Sequence, residues 1–306
     1  MTWLAWRQLR TQAAVVAGAL VVVVIALVVT RTHVVDVYSP SGDHELTGIY
    51  VWLRLLGTVL IGLPAAIGAF WGAPMIASEL EGHTQRLAWT QSITRDRWLA
   101  VRLALTAAVS VAVVAIFAAV FTWWCAPLDA TDVNRIAPAN FAQRGVVAIG
   151  YTLFALALGV LLGAVIRRTL PAMAATLLAF LVARLAIQKL VRPHLVAATT
   201  LRTDPFSPGP RGAWTLSTRT VDAAGHQVSA QALENHLVKA CHLTRATPDV
   251  DQALANCAHR LGFDNLTRAI PSSSFWQLQA AELVVFVGLA AIAAAATFWW
   301  IRHRAT

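Results

Sequence analysis

Residues 146–190 read VVAIGYTLFALALGVLLGAVIRRTLPAMAATLLAFLVARLAIQKL. Two apolar runs, Val146–Ile166 and Leu170–Leu190, are parted only by Arg167, Arg168 and Thr169. Each run is long enough to cross a hydrocarbon core of roughly 30 Å, which takes about twenty helical residues. Neither alternates apolar with polar residues, which argues against strands, and a helix satisfies every backbone polar group within its own segment. The stretch therefore predicts two membrane-spanning helices.

Outward from this pair, four more runs have the same character: Ala13–Val29, Tyr50–Ala77, Leu99–Trp124 and Ala280–Ile301. The expected fold is an all-α polytopic membrane protein with six transmembrane helices. Composition agrees: 58% of the 306 residues are hydrophobic and 13% charged, with a mean hydropathy of +0.62, outside the range of water-soluble domains. Arg7 and Arg10 precede the first run as in a signal peptide. That run is long, however, and no small-x-small cleavage site precedes Arg31, so it reads as an uncleaved anchor.

A net charge of +9 raises the question of nucleic acid, but the arginines are scattered singly at the edges of apolar runs and form no recognition stripe. Nucleic-acid binding is therefore not expected. Their distribution sets orientation instead. Arg7, Arg10, Arg86, Arg95, Arg97, Arg167, Arg168, Arg302 and Arg304 fall on one side, against Arg31, Arg135 and Arg144 on the other, which predicts that both termini are cytoplasmic. Membrane lipid, with its anionic headgroups, accounts for the basic balance.

That topology leaves residues 191–279 as the one extracytoplasmic domain, between spans five and six. Trp214–Val221 followed by Asp222, Ala223, Ala224 and Gly225 gives a weak hairpin signal. Leu233, Leu237 and Cys241 mark one amphipathic helix. A second carries Val250, Leu254, Cys257 and Leu261, with Thr247 as N-cap, Pro248 at the first helical position and Gly262 beyond the end. A helical hairpin is expected, with Cys241 and Cys257 on facing stripes and a disulfide as the natural reading in an oxidising compartment. Two buried thiols, or a metal site using His236, His242 or His259, are the alternatives; the spacing lacks the short-gap ligand pairs of structural zinc, and no metal is expected.

Charges inside the spans are few. Arg54 and Arg184 lie toward outer ends, Arg102 near an inner end, and Glu282 is the one acid within an apolar run. Such groups anchor at the interface, or else Glu282 pairs with Arg184 or Arg54 beside a translocation path. Gly68 with Gly72, and Gly159 with Gly163, are small-x-x-x-small pairs that permit close helix approach within the bundle or between subunits.

Catalysis is excluded on motif grounds. The lysines, Lys189 after Gln188 and Lys239 after Val238, cannot complete a phosphate-binding P-loop. Neither a Gly-x-Ser-x-Gly elbow nor a His-Glu-x-x-His pair is present. Any energy for transport must come from another polypeptide.

The segment joining spans two and three, residues 78–98, reads SELEGHTQRLAWTQSITRDRW. Leu80, Thr84 and Leu87 share a helical face, and Glu79 and Glu81 sit in a first turn, where a helix dipole favours acids. Thr94 can cap the helix entering span three. A short helix lying across the membrane surface is expected.

This segment resembles the ABC-2 type permeases, and within them actinobacterial ABC transporter permease subunits. The resemblance is carried by Ala73 and Pro74, Glu79 to Glu81, Thr84, Arg86 to Ser92, Thr94, Arg95, and Arg97 to Ala100. Weaker matches are Arg192-Pro193-His194, Phe275-Trp276, Gln279 and Glu282. Ser78, His83 and Gln85 depart from the pattern.

The resemblance implies a non-catalytic transmembrane subunit in a bacterial plasma membrane, an exporter of a small amphipathic molecule. It implies no cofactor in this chain, ATP and magnesium belonging to a separate ATPase, and a second permease copy or related permease as partner. Residues 1–12 would be an amphipathic connecting helix, 13–190 spans one to five with a coupling helix at 78–98, and 280–306 span six with a cytoplasmic tail. An apolar anchor of Leu80, Leu87 and Trp89 would dock on the ATPase, with Glu79, Glu81, Thr84, Arg86 and Arg95 fixing register. The rival reading is a membrane-anchored sensor or resistance protein whose extracytoplasmic domain binds a ligand.

Overall fold

A computed structural model describes residues 14, 18–31, 46–82, 95–126, 135–206, 212–242 and 250–304. Among them, five helices are long and apolar enough to cross a membrane: Gly57–Glu81, Asp96–Cys125, Val147–Ile166, Thr169–His194 and Ser272–His303. These correspond to spans two to six. The first run appears as the shorter apolar helix Gly18–Arg31, about 21 Å at helical rise. The segment at 1–12 lies outside the described residues.

Span four is the hub. Of its most apolar stretch 61% is buried, against 22% for span six. Its composition explains this, because small residues recur on the side facing span two. A Cβ at Gly68 would meet the Ala155 carbonyl and one at Gly72 the Leu156 carbonyl, while Gly159 and Gly163 lie against the backbone of Gly68 and Ala73. The two glycine pairs thus abut each other and let two backbones touch, which is close packing inside one bundle. Span two accommodates the seam with a π-helical turn, Gly68–Gly72, between Leu46–Ile67 and Ala73–Glu81.

Spans four and five are joined at Arg167, which takes a left-handed φ of 60°, while its N–H bonds the Gly163 carbonyl at 3.1 Å. This ends one helix within a residue of the next.

Beyond span five the chain departs from the all-α expectation. Residues 199–270 carry a four-stranded antiparallel sheet of order β1-β4-β2-β3, with β1 Thr199–Thr203, β2 Trp214–Val221, β3 Gln227–Val228 and β4 Asp264–Ile270. Strand β4 enters the middle of the sheet from far along the sequence. The β2–β3 turn is built by Asp222, whose Oδ1 accepts from the N–H groups of Ala224 at 3.0 Å and His226 at 2.8 Å. Those bonds, made outside any membrane span, hold the Asp222 carboxyl below its ordinary pKa.

Between β3 and β4 run the helices Ala230–Ala240 and Val250–Arg260. Ser229 caps the first, its Oγ accepting from the Ala232 N–H at 3.3 Å. Leu233, Leu237, Leu254, Cys257, Ala258 and Phe263 form a small separate core. Cys241 and Cys257 are joined as a disulfide, with a Cα–Cα distance of 6.4 Å. The Thr247–Pro248 cap lies outside the described residues.

Candidate functional site

The two ends of the helix bundle carry different polar chemistry. At the end from which the sheet emerges, three spans contribute to one buried cluster. Glu282 projects from span six, Tyr151 from the first turns of span four and Arg192 from the close of span five. Arg192 Nε donates to Glu282 Oε2 at 2.7 Å and its Nη2 to Oε1 at 2.9 Å, a two-pronged contact. The Tyr151 hydroxyl donates to Oε1 at 2.6 Å and accepts from Arg192 Nη2 at 3.2 Å. Side-chain exposure is 0% for Arg192 and 1% for Glu282. In so dry a place an ion pair persists only when its geometry is good and its remaining lone pairs are met.

Neighbouring groups close the cluster. The Arg192 guanidinium lies 4.5 Å from the Phe141 ring centroid and that of Arg184 lies 4.8 Å from the Tyr151 ring. Arg184 Nη1 donates to the Ile61 carbonyl at 3.0 Å, tying span two to span five. One turn before Glu282, the Gln279 side chain accepts from the Val147 N–H at 2.9 Å and donates to the carbonyls of Phe141 and Arg144 at 3.0 and 2.8 Å. Gln279 therefore caps span four from span six. The Gln279 amide lies so close that Gly145, with φ +76°, has no room for a side chain.

This corrects the expected pairing. Glu282 is held by Arg192, not by Arg184 or Arg54; Arg184 faces Tyr151 and Ile61, and the Arg54 side chain lies outside the described residues. The reason is register. Arg192 sits in a single 3-10 turn, Arg192–His194, just past the apolar run that ends at Leu190, where a search for charges within spans does not look. The signal was nonetheless present, since Arg192, Gln279 and Glu282 all belong to the weaker sequence matches.

At the opposite end the polar contacts are exposed. Glu79 pairs with Arg102. Glu81 Oε2 accepts from the Thr169 N–H at 3.0 Å and from its hydroxyl at 2.7 Å. Arg302 Nη2 lies 2.7 Å from Asp96 Oδ2. Together these three contacts link the ends of spans two, three, five and six.

A second correction follows from their placement. Glu79 and Glu81 lie in the last turn of the helix Ala73–Glu81, which continues span two, and not in the first turn of a separate helix. Glu81 still serves a helix N-terminus, but that of span five, where an anion is favoured. Leu80 is half-buried against the core around Met75, Ile76 and Leu99, and does not stand free as an anchor. Thr84, Arg86, Leu87 and Trp89 lie outside the described residues, as does the side chain of Arg95.

Chemically, the buried cluster can hold charge but offers no nucleophile or open coordination. Among the described residues no group of three His, Cys, Asp or Glu side chains gathers as a metal site. A family model described as "ABC-2 membrane transporter related" matches residues 17–192, more than half the chain and ending on Arg192 itself. No curated protein and no solved structure matches it.

Proposed function

The chain belongs to the ABC-2 membrane transporter related family, the transmembrane component of an ABC transporter, and from that premise we propose that a separate ATPase drives it through the 78–98 segment. It is a multi-pass membrane protein. The proposal adds that both termini are cytoplasmic, that two permease copies enclose the pathway, and that the cargo is a small amphipathic molecule moved outward.

One observation carries the reading. The helix ends that flank residues 83–94 are bound into the bundle by Glu79–Arg102, Glu81–Thr169 and Asp96–Arg302. A force applied between Gly82 and Arg95 would therefore reach spans two, three, five and six together. Magnitude decides what must grip the segment. Driving a two-state transporter almost fully across takes about 5.5 kcal/mol of differential free energy, whereas an exposed ion pair supplies about 0–1 kcal/mol. An apolar grip by Leu87 and Trp89 on the ATPase is required, with Arg86 and Thr84 setting register.

The direct experiment is affinity purification of the full chain from its native membranes, followed by MgATP hydrolysis by the eluate. We expect a nucleotide-binding subunit in near-equal amount and hydrolysis that depends on its P-loop lysine. A chain that purifies free of any ATPase and transports at full rate alone would overturn the proposal and favour a sensor or a secondary transporter.

A further inference from the structure

Among the described residues the buried charges do not balance. Arg144, Arg184 and Arg192 are 4%, 7% and 0% exposed, and the one buried carboxylate is Glu282. All four belong to the sheet end. Arg192 and Glu282 are paired, Arg184 stacks on the Tyr151 ring that both of them touch, and the Arg144 backbone is held by Gln279 one turn from Glu282. A guanidinium withdrawn from water is costly unless countered. Two positive charges in excess therefore mark a place that wants an anion.

A second observation points the same way. Arg192 spends Nε and Nη2 on Glu282 and Tyr151, while its Nη1, fully buried, has no hydrogen-bond partner. A donor left open beside a carboxylate whose oxygens are already engaged is suited to an incoming oxyanion. The cluster also lies one helix width from the outer surface. Thr176, Phe180, Arg184 and Ile187 form the inward stripe of span five, and Leu181, Val182 and Leu185 on the same turns are 43–58% exposed. Basic pockets between transmembrane helices near a bundle end are where phospholipid headgroups bind.

We infer that the Arg184–Arg192–Tyr151 cluster is an anion site that takes a phosphate group, supplied by an anionic phospholipid headgroup or by free phosphate. Arg184 supplies the uncompensated charge and Arg192 the open donor, while Glu282 holds the Arg192 fork in place and tempers the charge. Lowering the carboxylate charge strengthens the site, and removing Arg184 weakens it. The inference goes beyond the transport reading, and its test uses neither ATP nor an ATPase.

The test is thermal unfolding of the full chain in nanodiscs of neutral phosphatidylcholine. Short-chain phosphatidylglycerol, short-chain phosphatidylcholine and inorganic phosphate are titrated separately. A saturable rise in Tm with phosphatidylglycerol alone identifies the headgroup as source; a rise with inorganic phosphate identifies the free anion; both support the site.

Arg184→Met should raise the half-saturating concentration about ten-fold or more, the loss of one charged hydrogen-bonding partner. Glu282→Gln should lower it. Arg219→Gln, an exposed arginine on β2, should leave it unchanged. If Glu282→Gln fails to fold, the comparison of Arg184→Met with the unaltered chain still decides. The inference is overturned if no anion raises Tm, or if Arg184→Met responds as the unaltered chain does.

Discussion

The two ends of the bundle solve the same problem, holding helices together through charge, in opposite ways. At the sheet end Arg192 and Glu282 are sealed at 0% and 1% exposure. At the other end Arg302 and Asp96 pair at 61% and 37% exposure. A buried pair adds little net stability over an apolar substitute, yet losing one partner costs about 3–5 kcal/mol because the other is left charged and dry. An exposed pair is worth about 0–1 kcal/mol and can break and re-form in water. The lesson is mechanical: the sheet end is a fixed joint, and the opposite end, where the 78–98 segment leaves the bundle, can yield.

The sharpest way to break that contrast is at Glu282. Glu282→Ala or Arg192→Met alone should cost about 3–5 kcal/mol, seen as loss of monodisperse protein after extraction and a large fall in Tm. The double change Arg192→Met with Glu282→Met should recover most of it. A double variant no better than either single one would show that the pair is not a self-contained clamp.

Reducing the Cys241–Cys257 bridge comes next, because it tests whether the fixed end extends into the sheet domain. In the chain-entropy model a loop of this size contributes about 3 kcal/mol. Cys241→Ser should loosen residues 230–260 toward protease while the spans stay intact. Gln279→Leu follows, at about 1–3 kcal/mol, since it strands the Val147 N–H and two carbonyls in a buried place. Hydrogen exchange at the start of span four should rise.

The smallest effect belongs to the yielding end. Asp96→Asn should change stability by less than about 1 kcal/mol, and 1 M salt should erase the difference. A cost there as large as at Glu282 would abolish the distinction between the two ends.

The membrane part of this fold was legible because lipid leaves a chain little choice: long apolar runs between arginines have one solution, a helix each. The glycine pairs were legible as close contacts, though whether they join helices or subunits depends on which backbones meet. The sheet was hidden for a physical reason. Strand β1, Thr-Thr-Leu-Arg-Thr, is exposed along most of its length, and the inner strand β4, Asp-Asn-Leu-Thr-Arg-Ala-Ile, buries Thr267 as well as Ala269 and Ile270. Neither shows the apolar alternation that announces a strand.

The partner of Glu282 was hidden differently. A charge one turn past the end of an apolar run reads as an interfacial anchor, and only the 3-10 turn at Arg192–His194 shows it bent inward. Likewise Glu79 and Glu81 read as the start of a helix when span two simply continues through them. Local propensity does not register that Glu81 is needed at Thr169, 88 residues away.

The decisive measurement is ATP hydrolysis by the native complex in nanodiscs, comparing the unaltered chain with Leu87→Ala combined with Trp89→Ala. With the energy entering through the 78–98 segment, that variant should insert and purify normally while hydrolysis falls to the rate of the ATPase alone. The Arg192→Met and Glu282→Met double variant, altered at the fixed end, should keep most of the stimulation. Full stimulation by the Leu87 and Trp89 variant would contradict the proposed handle outright.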